Sequence, residues 1–390
     1  MAGGGGTPYA PEVTFGGRNA GALGWGADTM ADMDQPIDLP IQPMLAKAVT
    51  GVPAFDSVKG GLAYEPKWDG FRCLVVRDGD EVELASRGSK PLTRYFPEVV
   101  ADVLRLMPAK CVVDAEIVVR SGNRGEERLQ WEHLSQRIHP AESRIRKLAR
   151  ETPAELVCFD LLALSDESLL DLTFRERRAR LEQALTTLTD EDPIHLTQIT
   201  TDAAVAEDWF ERFEGAGLDG VVAKPLEQAY APGKRTMLKI KHHRSADAVV
   251  YGYRVHKSGQ GVGSLLLGLF TDGEGGQDRL VGVGGIAAFT AKKRLELVDE
   301  FEPLVVRDDD GNPIDAETDR SRFSSTKDVS YVPVRPERVV EVAFDQMEGA
   351  RFRHAVTFVR WRPDREATSC RLDQVERAPA YDLREVLTTG

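Results

Sequence analysis

Lys67 is the residue whose neighbours could make it a nucleophile, and it lies in the stretch Glu65-Pro66-Lys67-Trp68-Asp69-Gly70-Phe71-Arg72. A free lysine titrates at about 10.4, so at neutral pH it is protonated and cannot attack. Neighbouring cations or burial free such an amine for covalent chemistry. In an extended run Glu65, Lys67 and Asp69 share one face. Gly70 permits a turn, and Arg72 can return to the same pocket. Taken alone, Lys67, Asp69 and Gly70 read better as a solvated surface turn, so other stretches must decide.

Four further stretches carry groups of the right type. In Asp114-Ala115-Glu116-Ile117-Val118, strand alternation sets Asp114 and Glu116 on one face and Val113, Ala115 and Ile117 on the other. Two acids so placed hold a metal or a ribose hydroxyl, or they decorate a surface. Phe159, before Asp160, is either core or a platform for a base. Asp219 stands at the mouth of the apolar strand Gly220–Ala223, and Leu238-Lys239-Ile240-Lys241 sets two lysines on one strand face. The glycine-rich Ser258–Gly263 run precedes a strand rather than a helix, so it reads as a hairpin turn and not a dinucleotide fingerprint. The seven histidines show no metal-ligand spacing, and His242-His243 extends a basic face.

The elements that must position these groups alternate strand and helix up to Arg244. Leu62–Pro66, Phe71–Arg77, Val82–Ala85, Cys111–Val119, Leu156–Leu164, Gly220–Ala223 and Met237–Lys241 read as strands, with many antiparallel pairs. Thr93–Met107, Thr173–Leu188 and Asp202–Glu214 read as helices, the last capped by Asp202. After Arg244 come Val249–Val255, Ser264–Phe270, Arg279–Gly284, Val339–Phe344 and Thr357–Trp361, interrupted by a helix at Lys292–Phe301 and followed by another at Leu372–Leu387. Five strands with an inserted helix suggest a small, partly open β-barrel. The expected division is a flexible glycine-rich leader over 1–35, one domain over 36–245 and a second over 246–390.

Bulk properties exclude some classes. At 390 residues, with 42% hydrophobic and 29% charged residues, the chain is an ordinary globular protein without an apolar stretch long enough to span a membrane. The four cysteines lie far apart and suit buried thiols in a reducing cytosol rather than zinc or disulfides. The net charge of −13 argues against nonspecific coating of nucleic acid. Basic runs at 137–150 and 234–244 leave room for a local track.

Taken in order, these stretches resemble the nucleotidyltransferase superfamily of ATP-dependent DNA ligases, RNA ligases and mRNA capping enzymes. The match runs through Lys67-Trp68-Asp69-Gly70, Ser86-Arg87-Gly88, Asp114–Val118, Phe159-Asp160, Asp219–Lys224 and Lys239–Lys241. The resemblance implies an α+β fold: an adenylation domain of antiparallel sheets with flanking helices, then an OB-fold barrel. It makes Lys67 the nucleophile that attacks the α-phosphate of ATP and carries AMP. Glu65 would select adenine through its amino group, and Phe159 would stack on the ring. Arg72, Arg87 and Glu116 would hold the ribose and later a nucleic-acid phosphate. Lys239 and Lys241 would neutralise the triphosphate. Asp219, together with Glu116, would bind magnesium or manganese. The family has glutamate at the position of Asp219, so the shorter side chain would reach a metal through water.

The family's Arg-x-Asp-Lys motif, which docks on the triphosphate, is met by Phe358–Arg365 with Arg365 replacing the lysine. The favoured register uses Arg362 rather than Arg360, so Arg362, Asp364 and Arg365 would make that contact. Details lean towards the two-domain bacterial enzymes of the ligase C and ligase D groups. The implied substrates are ATP and nicked or broken duplex DNA, in DNA repair. A cytoplasmic monomer is expected, with end-joining or repair proteins as partners and no membrane. Alternatives are an RNA ligase, a capping-type enzyme, or a noncatalytic DNA-binding repair scaffold. The barrel is expected to swing between reaction steps.

Overall fold

The computed structural model describes residues 30, 32–242, 244–273, 277–314, 316–317, 330–375 and 379–387. The leader expected over 1–35 lies almost wholly outside the described residues, as does His243. The principal elements are β1 (Leu45–Ala48), β2 (Leu62–Pro66), β3 (Phe71–Asp78), β4 (Glu81–Ser86), α1 (Pro97–Leu106), β5 (Lys110–Val118), α2 (Glu142–Glu151) and β6 (Glu155–Leu164). They continue with α3 (Phe174–Ala184), β7 (Ile194–Leu196), α4 (Ala203–Arg212), β8 (Val221–Pro225) and β9 (Arg235–Ile240). The C-terminal part holds β10 (Arg244–Val255), β11 (Val262–Asp272), β12 (Asp278–Ile286), α5 (Ala291–Phe301), β13 (Ser330–Phe344) and β14 (Thr357–Trp361).

Two sheets built from β1–β9 face each other. One has the order β1-β9-β8-β2 and the other β7-β6-β5-β3-β4. Only β1 with β9 and β7 with β6 run parallel within them. Strand alternation explains how the second sheet serves two cores at once. Cys73 and Val75 of β3 point to Phe96, Val99 and Val103 of the α1 side. Leu74 and Val76 point the other way, to Met44, Tyr230 and Met237 of the facing layer. Helix α3 starts at Thr173, which forms a capping box with Glu176, and α4 starts at the expected Asp202 cap.

From Arg244 onward β12-β11-β10-β13 form a third sheet, with β14 pairing on β13. Helix α5 is inserted between its third and fourth strands in chain order, the arrangement expected of a small OB-type barrel. His256 N–H donates to Gly261 O at 2.9 Å and closes the expected hairpin between β10 and β11. The continuous helix expected over 372–387 is not what the structure shows: a 3-10 turn covers Leu372–Gln374 and a short helix covers Leu383–Leu387, with 376–378 outside the described residues. That short helix leaves the barrel and buries Leu383, Val386 and Leu387 against Trp68, Val118 and Phe213 of the first part. Apolar burial of this kind, rather than helix propensity, holds so short a segment. No helix among the described residues is long and apolar enough to cross a membrane. All four cysteines are buried and free.

Candidate active site

The cleft is a continuation of the core between the two facing sheets. At the closed end Leu74, Val76, Val112 and Leu162 are apolar. Two residues further along, the same faces of β3 and β5 carry Arg72, Asp114 and Glu116, so the layer turns from oil to charge at its mouth. Phe159 reaches this face through a β-bulge. Asp114 pairs with Asp160 and Ala115 with Cys158, which leaves Phe159 as the extra residue. On the opposite sheet alternation sends Glu65, Val222, Lys224, Met237 and Lys239 to the cleft, and Tyr64, Val221, Ala223, Leu238 and Ile240 towards α4.

The result is a cavity of about 1000 Å³ lined by Glu65, Lys67, Arg72, Arg87, Glu116, Phe159, Asp219, Lys239 and Lys241. Nine residues singled out from six stretches of sequence therefore meet at one place.

Lys67 is held by its backbone as well as its side chain. Its N–H donates to Gly220 O at 2.8 Å, and its carbonyl accepts from Asp219 N–H at 2.9 Å. Gly220 sits at φ +124°, where a Cβ would stand 2.0 Å from Ile240 O. A Cβ on Gly70 would stand 2.1 Å from Ile117 O, and its N–H donates to Glu116 Oε1 at 3.0 Å. Both glycines permit backbone approaches that no side chain fits.

Charge is dense here. Asp219 Oδ2 lies 2.6 Å from Lys67 Nζ and 2.7 Å from Lys241 Nζ. Burial opposes ionisation of Asp219, but the two lysines outweigh it and hold its carboxyl below the usual range. Burial also works against charge on Lys241, and Asp219 and Asp345 overcome it, raising that lysine. Lys239 is lowered by burial and by the like charges of Lys241 and Lys67. Burial pushes the Glu116 carboxyl up to about 7, against the pull of Lys67 and Arg72.

Arg72 grips Asp114 with a fork, Nε to Oδ1 at 2.9 Å and Nη2 to Oδ2 at 2.6 Å, while Nη1 donates to Met44 O at 2.6 Å. Its guanidinium lies 5.5 Å from the Phe159 ring centre. Asp114 also accepts from Tyr230 Oη at 2.7 Å. It is fully buried behind Arg72, so of the two acids on that strand face only Glu116 lines the cleft.

Three expected residues are elsewhere. Arg362, Asp364 and Arg365 do not line the cleft. Arg362 Nη1 and Arg365 Nη1 lie 2.9 and 2.5 Å from Asp247 Oδ2, and Arg362 Nη2 lies 2.9 Å from Asp364. A different part of the barrel meets the cleft. Asp345 lies 3.1 Å from Lys241 Nζ, and Gln346 Nε2 donates to Leu218 O at 2.5 Å. Arg353 pairs with Asp69, lies 4.8 Å from the Trp131 ring centre, and precedes His354, which lines the cavity. His242 does not extend a basic face, since it stacks on Phe210 with ring centres 3.9 Å apart.

Lys224, which lines the cavity, and Arg178, which stands 3.9 Å from Glu65, were not singled out from the sequence. Lys224 is on the cleft side because it stands two positions beyond Val222 on β8, a strand signal present in the sequence. Arg178 shares a helical stripe with Phe174 and Leu181, a signal too short to separate from a solvated arginine run.

Among the described residues no group of three or more His, Cys, Asp or Glu could hold a metal by itself. Asp219 and Glu116 are two carboxylates that both line the cavity. That suits a cation such as magnesium, which takes one or two carboxylates, substrate phosphates and water.

A lysine in a charged cleft between two sheets, with a barrel reaching its rim, is the arrangement that the resemblance to nucleotidyltransferases implies. Residues 43–241 match the ATP dependent DNA ligase domain and residues 258–365 the ATP dependent DNA ligase C terminal region. The chain belongs to the ATP-dependent DNA ligase family. It is 52% identical over 362 residues to DNA ligase C1 of Mycolicibacterium smegmatis, covering 91% of this chain and 99% of that one. It is 50% identical over 368 residues to DNA ligase C of Mycobacterium tuberculosis, again covering 91% and 99%. The solved ligase domain of M. tuberculosis LigD aligns at 26% identity over 85% of this chain and 97% of that one, with a TM-score of 0.41.

Proposed function

We propose that this protein seals breaks in duplex DNA that carry a 5′-phosphate and a 3′-hydroxyl, using ATP. Lys67 Nζ bonds to the α-phosphorus as the bond to pyrophosphate breaks. AMP then passes to the 5′-phosphate, and the 3′-hydroxyl attacks and expels AMP. Such phosphoryl chemistry depends on positioning and charge neutralisation; Lys239 and Lys241 would neutralise the triphosphate, and Arg72 and Arg87 would hold the ribose and later a nucleic-acid phosphate. Glu65 and Phe159 would take the base, and Glu116 the ribose. Asp219 and Glu116 would hold a divalent cation, whose chemistry is to neutralise phosphate charge. Lys67 donates to Asp219 at 2.6 Å, and as an ammonium it must give up a proton before its lone pair can reach phosphorus.

The single observation that carries this reading is the convergence of residues from six separate stretches around Lys67 in one cavity. Two domains, 36–245 and 246–390, would move relative to each other. In the present arrangement Arg353 and Asp345 hold the barrel, while Arg362, Asp364 and Arg365 stay within it, the two arginines on Asp247 and Asp364 on Arg362. A second position, with the latter three on the triphosphate, would serve the first step. A cytoplasmic monomer working with repair proteins fits this reading. Incubation with α-labelled ATP and magnesium tests it: covalent label must form on the parent chain and disappear in Lys67→Ala. Nicked duplexes with deoxy- or ribonucleotide 3′ ends test the substrate, and joining of RNA strands alone would overturn the DNA assignment.

A further inference from the structure

Glu65 and Arg178 face each other across a bond that the fold leaves incomplete. Glu65 is 3% exposed and Arg178 6%. Glu65 Oε2 takes Lys224 Nζ at 2.6 Å. Glu65 Oε1 and Arg178 Nη1 stand 3.9 Å apart, and neither atom has a hydrogen-bond partner. The rest of the guanidinium is tied down, Nε to Glu182 Oε1 at 2.7 Å and Nη2 to Thr197 O at 2.8 Å. Thr197 Oγ1 also accepts from Trp68 Nε1 at 2.8 Å, so Arg178 is clamped to the residue beside Lys67. A buried polar atom without a partner is costly unless a ligand completes it, and Glu65 lines the cavity.

We propose that Arg178 is a positioning residue for base choice. Together with Lys224 it keeps Glu65 an anionic acceptor, so that the cleft takes a purine with an amino group at position 6 and rejects one with a carbonyl there. The inference rests on the reading that Glu65 meets the base. An ionised carboxylate only accepts hydrogen bonds, whereas a protonated one also donates. The 6-amino group of adenine donates; the 6-carbonyl of hypoxanthine accepts. Burial raises the Glu65 carboxyl and thus favours its protonated form, with Asp160 adding to the effect, while Lys224 and Arg178 oppose it. Asp160 is itself neutralised by Arg177 at 2.7 Å. The two cations facing Glu65 therefore decide whether it accepts or donates.

The test measures covalent labelling of the full chain by α-labelled ATP and by α-labelled inosine triphosphate. The proteins are the parent, Arg178→Met and Arg178→Lys, at about pH 6 and about pH 8. Arg178→Met should raise KM for ATP about tenfold with kcat little changed. It should shrink the preference for ATP over inosine triphosphate by a similar factor, more so at the lower pH. Arg178→Lys should restore that preference. An unchanged preference in Arg178→Met, an equal loss for both nucleotides, or a lysine variant as impaired as the methionine one would overturn the proposal. If Arg178→Met fails to fold, the parent decides alone: a preference that collapses at the lower pH shows Glu65 protonating despite Arg178. No labelling of the parent by ATP would instead sink the ligase reading itself.

Discussion

Replacing Arg353 by methionine should separate the late chemistry from the early one. Arg353 is 6% exposed and Asp69, its partner in the Lys67-Trp68-Asp69-Gly70 stretch, 14%. Removing one partner of a fully buried pair costs about 3–5 kcal/mol. Asp69 lines the open cleft and Lys241–Asp345 persists at 3.1 Å, so about 2 kcal/mol is the share expected for barrel docking. At about 1.4 kcal/mol per tenfold, the docked population falls roughly thirtyfold relative to the undocked one. This position leaves Arg362 and Arg365, which pair with Asp247, and Asp364, which pairs with Arg362, outside the cleft. It therefore belongs to steps that follow release of pyrophosphate. The assay is single-turnover sealing of a nick that already carries 5′-AMP, beside labelling of the enzyme by ATP. Sealing should fall by about thirtyfold while labelling holds or quickens. Equal loss in both reactions, or unchanged sealing, would refute the assignment of this barrel position to the later steps.

Other substitutions probe the same site. Lys67→Ala should abolish enzyme-AMP formation yet still bind nicked duplex, with an affinity that falls steeply as salt rises. Asp219→Asn should lower stability at neutral pH by about 2 kcal/mol, because Lys67 and Lys241 lose the carboxylate they share. The folded-state pKa of Asp219 is depressed. Its contribution is therefore full above the ordinary carboxylate pKa of about 3.9 and lost as pH falls through the folded value. Thermal melts of the two proteins should converge at strongly acid pH, and a gap that persists there would count against the ion pairs. Leu383→Ala, at a fully buried position beside Trp68, should weaken docking of the C-terminal helix by about 3 kcal/mol. Limited proteolysis should then cut near 379–387 before the sheets unfold.

Much of the cleft was legible because its strand residues follow a local rule. Once Leu62–Pro66 is a strand, Glu65 has one of two faces, and the same holds for Lys239 on β9 and for Glu116 on β5. Phe159 was legible only as a choice between core and platform, since the bulge that turns it outward depends on pairing with a partner strand. Helix α2 was missed because its buried side is just Ile145 and Leu148, and the cations around them read as a charge run. The parts that failed are those with no period at all. Nothing local distinguishes Arg353 from Arg351, although one is buried on Asp69 and the other exposed. Arg362, Asp364 and Arg365 expose the limit more sharply. Their spacing can match a phosphate-binding motif, but spacing cannot say where a barrel sits, and here the buried Asp247 neutralises both arginines inside the barrel. For those arginines to grip phosphate they must first leave Asp247, a competition between two anions for the same cations. Asp247→Asn should therefore speed docking for the first step and, by releasing the arginines, slow the return to the present position. A labelling rate unchanged by that substitution would mean that Asp247 does not compete with the nucleotide.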